Sequence, residues 1–310
     1  RQFADLKKQI DGLKDVPELL VWGVGNELEM SADEDEAVWK AVESVAAYIK
    51  SVDTLHPVMT VLASPQEAAL RAISRYCPSL DFVGINSYGD IGKVSPRLHA
   101  ANWKRPYLIT EWGADGSWEV PVTSWGAEIE PTSTQKAAQV RERYRRLLDR
   151  DGLCMGGFVF LWGSKQERTH TWFSLLSEEG LATESVEALA AIWNGVPETR
   201  NAPQISPLRL NGKVAAEELR LSAGEPVVAA IDVLRGSPSM GDAHWWLGRE
   251  SDDKKQGGDA EAAPERLELD LERLGVGEVR FSVPAEPGAY RLYFEARGDD
   301  GYYATANFPF

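Results

Sequence analysis

Two short apolar segments each end at or just before a glutamate, and these carboxylates are the groups in the sequence best suited to chemistry. The first segment is residues 21–27, VWGVGNE, which ends in Glu27. The second is residues 106–113, PYLITEWG, in which Glu111 follows the apolar run. A buried parallel strand has this pattern when its C-terminal end opens onto a site. Because paired carboxylates can act as proton donor, proton acceptor and nucleophile, the two segments together predict a catalytic site.

The elements around these segments alternate between strand and helix. Apolar patterns predict strands at 19–24, 57–63, 81–86, 107–110 and 157–162, and helices at 36–52, 66–74, 134–148 and 184–193. Five strand–helix units in a row are typical of a parallel α/β fold, either a doubly wound open sheet or a (β/α)8 barrel. A barrel gathers catalytic groups at the C-terminal ends of several strands, where both glutamates lie, so we predict the TIM-barrel architecture.

Four motifs of the first 195 or so residues resemble those of a known group of enzymes. They are residues 22–27 (WGVGNE), 86–88 (NSY), 110–113 (TEWG) and 160–163 (FLWG). In these motifs the sequence is similar to the retaining β-glycosidases of the large (β/α)8 clan, which includes the family 2 glycosidases. In that clan an Asn-Glu pair ends the fourth barrel strand and a lone glutamate ends the seventh. The resemblance implies that Glu27 is the general acid/base and Glu111 the nucleophile.

The same resemblance suggests substrate-binding residues. Asn26 matches the asparagine that hydrogen-bonds the sugar 2-hydroxyl, Tyr88 a tyrosine that donates to the nucleophile, and Trp162 the aromatic platform at the end of the eighth strand. Glu167 follows the Trp162 strand in a loop and is the best candidate among the loop acids for a substrate hydrogen bond. For Trp112, beside the nucleophile, packing and sugar stacking both stay open.

The strand count places this segment within the clan's barrel. Two strands are predicted between the glutamates and one after them, so the five units correspond to strands four to eight. Strands one to three have no counterpart, and the segment is shorter than the roughly 250 residues of a typical barrel. We therefore expect a partial barrel, with the chain a fragment and the N-terminal part of the barrel as a potential partner.

The sequence changes character after Val196. A Pro-rich linker at 197–207 is followed at 208–310 by short alternating runs, which predict an immunoglobulin-like β-sandwich accessory domain of about seven strands. The polar run 251–265 predicts a flexible loop within it. In the first domain (1–196), the long loop 113–133 is expected to shape a substrate cleft, with Glu119, Glu128 and Glu130 as solvated charges.

Composition narrows the choice of partners. The formal net charge is −15, which disfavours nucleic acid and anionic membranes, and no apolar stretch approaches the roughly 20 residues of a membrane span.

Cys77 and Cys154 are expected to be buried small hydrophobes, and the four histidines lack ligand-like spacing, so we expect no metal. Gly23 and Gly25 do not form a phosphate loop, because the third glycine of that motif is absent. We expect no cofactor.

Together these observations predict a retaining β-glycoside hydrolase, or a transglycosylase of the same mechanism, acting on a β-linked glucan or related oligosaccharide. Retention needs two carboxylates about 5 to 5.5 Å apart. The alternative is a non-catalytic carbohydrate-binding or scaffold protein with a degenerate glycosidase fold, whereas a cofactor-dependent α/β enzyme lacks its phosphate loop. The sequence identifies neither the sugar nor the cellular compartment, and it is compatible with a periplasmic or secreted location.

Overall fold

The computed structural model describes residues 2–32, 35–148, 152–255 and 258–310 of the 310-residue chain. The chain forms two compact units, described here in turn. Unit 1 comprises Arg1–Trp112 and Arg143–Val159, and unit 2 comprises Gly113–Glu142 and Phe160–Phe310. The domain limits inferred from the sequence, 1–196 and 208–310 with a linker between them, stay predictions.

Unit 1 is built on a sheet of five parallel strands in the order β1-β2-β3-β4-β5. The strands are β1 (Trp22–Asn26), β2 (Val58–Leu62), β3 (Phe82–Asn86), β4 (Tyr107–Trp112) and β5 (Cys154–Val159). The helices of the chain are α1 (Gln2–Leu13), α2 (Glu29–Ala32), α3 (Glu36–Val52), α4 (Glu67–Tyr76), α5 (Val94–Ala100), α6 (Ser133–Leu148) and α7 (Glu184–Asn194). The predicted alternation of strand and helix is therefore confirmed.

Burial explains why the central strands are continuous apolar runs. Every residue of β2 (VMTVL) and β3 (FVGIN) is buried, whereas β1 and β5, at the two edges, alternate with exposed positions. A parallel strand covered on both faces has no exposed side to keep polar. Asp35 caps the N-terminus of α3, because its side chain accepts a hydrogen bond from the Ala37 amide. The helix buries one face, which carries Trp39, Val42, Ala46 and Ile49.

The strand order argues against a doubly wound sheet, which is one of the two folds that the sequence left open. All five strands follow one another in sequence with parallel neighbours, whereas a doubly wound sheet reverses its order at a switch point. Within the described residues, β1 pairs only with β2 and β5 only with β4, so these five strands do not close on themselves. The mixed α/β architecture is confirmed, and the barrel stays a prediction.

Three predicted strands have different limits in the structure. Strand β1 (Trp22–Asn26) begins and ends later than the predicted 19–24. Strand β5 ends at Val159 and not at 162, so Trp162 lies in the segment after the strand. Glycines at 156 and 157 weaken the strand signal at its true start, yet Gly157 is needed there because a Cβ atom would lie 2.9 Å from the Ile109 carbonyl oxygen. Strand β4 runs two residues beyond the predicted limit, so Glu111 belongs to the strand itself.

In its described residues, unit 2 contains three antiparallel sheets, and the two larger ones share one apolar core. Their strand orders are β12-β11-β15-β16 and β13-β14-β9-β7-β8, and β6 pairs with β10 in a two-stranded sheet. The strands are β6 (Gln204–Ile205), β7 (Arg209–Leu210), β8 (Lys213–Val214), β9 (Pro226–Ala230), β10 (Val233–Arg235), β11 (Ala243–Arg249), β12 (Arg266–Leu267), β13 (Glu272–Gly275), β14 (Glu278–Ser282), β15 (Tyr290–Arg297) and β16 (Tyr303–Pro309). The separate antiparallel region is confirmed, and its immunoglobulin-like topology stays a prediction.

The core of unit 2 takes side chains from both sheets. Strands β9 and β14 contribute Val227, Ala229, Val279 and Phe281, and strands β11 and β15 contribute Trp245, Leu247, Leu292 and Phe294. The predicted loop 251–265 contains no helix or strand where it is described, and its residues 256–257 lie outside the described part. No helix among the described residues is long and apolar enough to cross a membrane.

The expectation that Glu130 is a solvated loop charge was wrong. Its side chain is buried and accepts hydrogen bonds from Lys136 Nζ at 2.5 Å, Thr169 Oγ1 at 2.6 Å and Thr171 Oγ1 at 2.9 Å. Burial alone would raise the pKa of the Glu130 carboxyl, but the Lys136 ammonium and these donors outweigh burial and lower it. Lys136 is buried as well, so the pair is a structural ion pair of unit 2.

Candidate active site

Glu27 lies one residue beyond the end of β1, on a tightly turned backbone. Its amide donates to the Val61 carbonyl at 2.9 Å, and its φ of 53° is in the left-handed region that a side chain other than glycine rarely adopts. Gly25 precedes it with φ 81°. The chain therefore bends at the end of β1, and the Glu27 side chain stays half-buried at the C-terminal edge of the sheet.

Asn86, the last residue of β3, connects to Glu27. Its Nδ2 atom donates to Glu27 Oε1 at 2.8 Å and to Asn26 Oδ1 at 3.2 Å, while its Oδ1 accepts from Thr110 Oγ1 at 2.7 Å. The Asn86 side chain is buried, so these bonds fix its orientation. Asn86 is not among the site residues predicted from the sequence, although it ends a strand within the NSY motif.

Tyr88 hydrogen-bonds Glu111 in the way that Asn86 hydrogen-bonds Glu27. Its hydroxyl donates to Glu111 Oε2 at 2.8 Å, and the amide of Ser87 donates to the Glu111 carbonyl at 2.8 Å. In the β3–β4 pairing, Asn86 lies opposite Glu111. A hydroxyl that donates to a carboxylate oxygen holds the carboxylate in one direction.

These contacts bring together four of the residues selected from the sequence: Asn26, Glu27, Tyr88 and Glu111. All four belong to unit 1 and lie at the C-terminal edge of one parallel sheet. Carboxyl ends of adjacent parallel strands are where α/β proteins place ligands and catalytic groups. The chemical roles of the four residues stay predictions.

A third carboxylate, Glu29, is buried beside them and was not anticipated. Its Oε1 atom accepts from the Ala63 amide at 2.6 Å and the Ser64 amide at 3.3 Å, which ties the first residue of α2 to the end of β2. Burial raises the pKa of the Glu29 carboxyl, with a smaller contribution from the charge of Glu27, although the backbone amides oppose the rise. Nothing in its sequence position distinguishes Glu29 from an exposed glutamate.

Asp53 anchors the start of the strand that leads to Glu27. Its Oδ2 atom accepts from the Trp22 indole N–H at 2.8 Å, and its Oδ1 accepts from the Leu55 amide at 2.9 Å and the His56 amide at 3.1 Å. Burial would raise the pKa of the Asp53 carboxyl, but the Trp22 and His56 hydrogen bonds hold it well below the ordinary range. Trp22, part of the motif at 22–27, therefore stabilises the strand.

The structure favours packing for Trp112. Its side chain is only 1% exposed, and its ring centroid lies 5.9 Å from that of Tyr144. Burial of this extent favours packing over sugar stacking. The assignment of Trp112 as a substrate-binding residue stays a prediction.

The two remaining predicted site residues, Trp162 and Glu167, belong to unit 2, and only their contacts inside unit 2 are given. Trp162 is exposed, and its ring centroid lies 6.3 Å from that of Trp193. The Glu167 carboxylate is paired with Lys165 Nζ at 2.7 Å. Their roles as sugar platform and substrate hydrogen-bonding group stay predictions.

The chemistry available at the strand edge is that of two carboxylates, each oriented by a neutral donor. In the part of the chain that the structure describes, no group of three or more His, Cys, Asp or Glu side chains could hold a metal ion. Cys77 is buried, as expected, and Cys154 is half-buried.

Only the comparison with solved structures found proteins similar to this chain. No protein-family model and no curated protein matches the chain. Among solved structures, it is similar to a family 39 β-xylosidase from Caulobacter crescentus, with 15% identity, TM-score 0.47, and coverage of 91% of this chain and 71% of that one. It is also similar to a family 2 glycosyl hydrolase from Bacteroides cellulosilyticus, with 14% identity, TM-score 0.45, and coverage of 98% and 35%.

A third similar structure is a family 30 endoxylanase from Clostridium papyrosolvens, with 11% identity, TM-score 0.43, and coverage of 92% and 70%. All three are glycoside hydrolases, and the chain spans as little as 35% of their lengths.

Proposed function

We propose that this protein is a retaining β-glycoside hydrolase, or a transglycosylase of the same mechanism, that acts on a β-linked glucan or a related oligosaccharide. Glu111 is the nucleophile and Glu27 the general acid/base. The motifs at 22–27, 86–88 and 110–113 support a family 2-like catalytic domain. The observation that carries the proposal is the pair of hydrogen bonds from β3 and the residues just after it, Asn86 to Glu27 and Tyr88 to Glu111.

The first chemical step forms a glycosyl-enzyme. An oxygen of the Glu111 carboxylate attacks the anomeric carbon, the bond from that carbon to the leaving oxygen breaks, and the bonding electrons go to the leaving oxygen. Glu27, protonated at this stage, gives its proton to that oxygen. Tyr88 orients the Glu111 carboxylate for the attack, and Asn86 orients the Glu27 carboxyl.

The second step reverses these roles. Glu27, now ionised, takes a proton from an incoming water or sugar hydroxyl, whose oxygen attacks the anomeric carbon and releases the Glu111 carboxylate. Water gives hydrolysis, and a sugar hydroxyl gives transglycosylation. The two carboxylates serve both outcomes, so the acceptor bound near the intermediate decides between them.

Turnover of aryl β-glycosides tests this assignment. The unsubstituted chain should hydrolyse such a substrate, and Glu111→Gln should lose the activity while retaining the melting temperature. A fluorinated aryl β-glycoside that slows the second step should leave a covalent label on Glu111, found by peptide mass spectrometry. Absence of turnover by the chain together with the strands that complete its barrel, or a label elsewhere, would contradict the proposal.

The leaving group separates the two carboxylates. Glu27→Ala should slow substrates with poorly acidic leaving groups by about 10²- to 10⁴-fold, because only these need protonation. Substrates with acidic phenol leaving groups should be slowed much less in the first step. Equal losses on both substrates would remove Glu27 from the acid role.

A non-catalytic carbohydrate-binding or scaffold protein is the second candidate, and the open sheet of unit 1 favours it. In the residues that the structure describes, β1 and β5 each pair on one side only, and β5 exposes Met155 and Phe158. Under the enzyme proposal, further parallel strands complete this sheet as a barrel. Slow amide hydrogen exchange on the free edges of β1 and β5 in this chain alone would contradict that completion.

A further inference from the structure

Unit 2 contains a cavity of about 440 Å³. It is bordered on one side by Trp125, from the long loop 113–133, and on the other by residues 283–290 at the start of β15. Its volume lies within the roughly 300–1,000 Å³ of small-molecule sites in proteins. The proposed mechanism uses none of its residues.

The floor of the cavity is apolar and rigid. Val283, Tyr290 and Phe310 line it, and all three are buried. The Tyr290 ring stacks with that of Phe310 at 6.0 Å between centroids, and its hydroxyl donates to the Glu286 carbonyl at 2.7 Å. Pro284 and Pro287 restrict the backbone between them. A ligand would therefore meet a preformed surface, which reduces the entropy lost on binding.

Trp125 is held at the tip of a tight turn. The Gly126 amide donates to the Thr123 carbonyl at 2.9 Å, Gly126 has φ 86°, and Lys254 Nζ donates to the Gly126 carbonyl at 2.8 Å. The indole is half-buried, and its Nε1 atom has no hydrogen-bond partner among the residues that the structure describes. The Nε1 atom is itself buried, so the indole ring and not its N–H is the part that a ligand would meet.

Charged groups of both signs line the cavity. Arg220 lies over the Trp125 ring, with its guanidinium carbon 5.8 Å from the ring centroid, and donates to Ser124 Oγ at 3.0 Å. Glu286 is exposed and is paired with Arg249, whose guanidinium lies over the Tyr290 ring. The guanidinium is only a donor and the carboxylate only an acceptor, so a ligand that uses both must accept and donate hydrogen bonds.

We propose that this cavity is a second carbohydrate-binding site, in which a short stretch of a β-linked oligosaccharide lies against the Trp125 indole. A pyranose combines an apolar C–H face with a ring of hydroxyls that donate and accept, which matches an aromatic wall edged by Arg220 and Glu286. A purely apolar ligand leaves the Arg220 guanidinium unused, and the net charge of −15 disfavours an anionic ligand. The identity of the glycan rests on the proposed function, whereas the site itself does not use Glu27 or Glu111.

Affinity electrophoresis of the full chain in gels that contain a soluble β-glucan tests the site. All variants are made in a Glu111→Gln background, so that the glycan is not consumed. Trp125→Ala should weaken binding about tenfold or more, because it removes the whole stacking face. Trp125→Phe, which keeps a ring but loses the N–H, should fall between Trp125→Ala and the Glu111→Gln parent.

Two further variants make the result specific. Leu234→Ala is the control, since it removes an apolar side chain that is 62% exposed elsewhere in unit 2, and it should leave retardation unchanged. Arg220→Gln changes an exposed side chain and should weaken binding several-fold. Unchanged retardation by Trp125→Ala and Arg220→Gln would overturn the site, as would equal losses in Trp125→Ala and Leu234→Ala.

The outcomes separate this inference from the proposed function. If the unsubstituted chain turns over aryl β-glycosides while Trp125→Ala binds glucan normally, the second site is wrong and the enzyme stands. If the chain shows no turnover even with the strands that complete its barrel but loses glucan binding on Trp125→Ala, the site stands and the enzyme is wrong. Retardation by an α-linked glucan alone, or binding of a proline-rich peptide in place of the glucan, would overturn the assignment of the ligand.

Discussion

Asn86 and Tyr88 lie two residues apart, and each donates a hydrogen bond of 2.8 Å to a different glutamate. Asn86 is the last residue of β3, and Tyr88 follows in the first turn after it. The backbone between them is held to β4 by the Ser87 amide, which donates to the Glu111 carbonyl. One short segment therefore sets the direction of both carboxylates, so a change at either residue should affect one glutamate more than the other.

Removing the Tyr88 hydroxyl should slow the reaction without unfolding unit 1. Hydrogen bonds to charged groups contribute about 1.5–3 kcal/mol, so Tyr88→Phe should lower kcat about 10- to 150-fold with little change in KM. The measurement is steady-state kinetics on an aryl β-glycoside. Tyr76→Phe is the control, since it removes a hydroxyl that bonds exposed Glu36 on the surface. Equal kcat values for Tyr88→Phe and Tyr76→Phe would contradict the role of Tyr88.

Asn86 should act through Glu27. Asn86→Ala removes the donor to Glu27 Oε1, and we expect it to slow substrates with poorly acidic leaving groups more than activated ones. Because the two side chains act as a unit, adding Asn86→Ala to Glu27→Ala should cost little more than Glu27→Ala alone. Fully additive losses in this double-mutant cycle would show that Asn86 acts elsewhere.

Asp53→Asn should destabilise unit 1 in a pH-dependent way. The folded state holds the pKa of Asp53 below its ordinary value of about 3.9, so the folded carboxylate binds a proton less readily than the unfolded one. The stabilisation is present above the ordinary pKa and is lost as the pH falls below it. At neutral pH the variant should lose about 1.5–3 kcal/mol of unfolding free energy, because hydrogen bonds to a charged acceptor are weakened.

Chemical denaturation across the acid range checks this prediction. The gap between Asp53→Asn and the unsubstituted chain should be widest near neutral pH and narrow below about pH 4. Asp15→Asn, on an exposed residue, should stay within about 0.5 kcal/mol of the unsubstituted chain throughout. A gap for Asp53→Asn that is constant with pH would contradict the ionised, hydrogen-bonded state of the carboxyl.

Breaking the buried ion pair of Glu130 and Lys136 should lower the unfolding free energy of unit 2 more than replacing both residues does. Glu130→Ala leaves the Lys136 ammonium buried without its counter-ion and should lower the unfolding free energy of unit 2 by about 3–5 kcal/mol. Adding Lys136→Met removes the stranded charge and should recover part of that loss. Urea titration of the single and double variants measures both effects. A double variant less stable than Glu130→Ala would contradict this account.

The sequence by itself determined the α/β alternation and the positions of the two glutamates. A strand covered on both faces must be apolar throughout, as VMTVL and FVGIN are, so a polar residue at the end of such a run marks the edge of the sheet. That local rule placed Glu27 and Glu111 at strand ends, and the adjacent motifs singled out Asn26 and Tyr88. It misplaced β5, because Gly156 and Gly157 suppress the local signal at a strand that neighbouring strands hold in place.

Only the tertiary structure decided which polar side chains are buried and what they bind. Glu29, Glu130 and Asn86 have the same side chains as exposed residues of their types, and their partners are distant in sequence. Asn86 reaches Glu27 across 59 residues and Glu130 reaches Asn307 across 177. Burial and hydrogen bonding depend on which segments pack together, and local propensity and periodicity contain no term for that. The sequence could therefore identify the two carboxylates and, through the family resemblance, Tyr88, whereas Asn86 as the donor to Glu27 became apparent only in the sheet that β1 to β4 form.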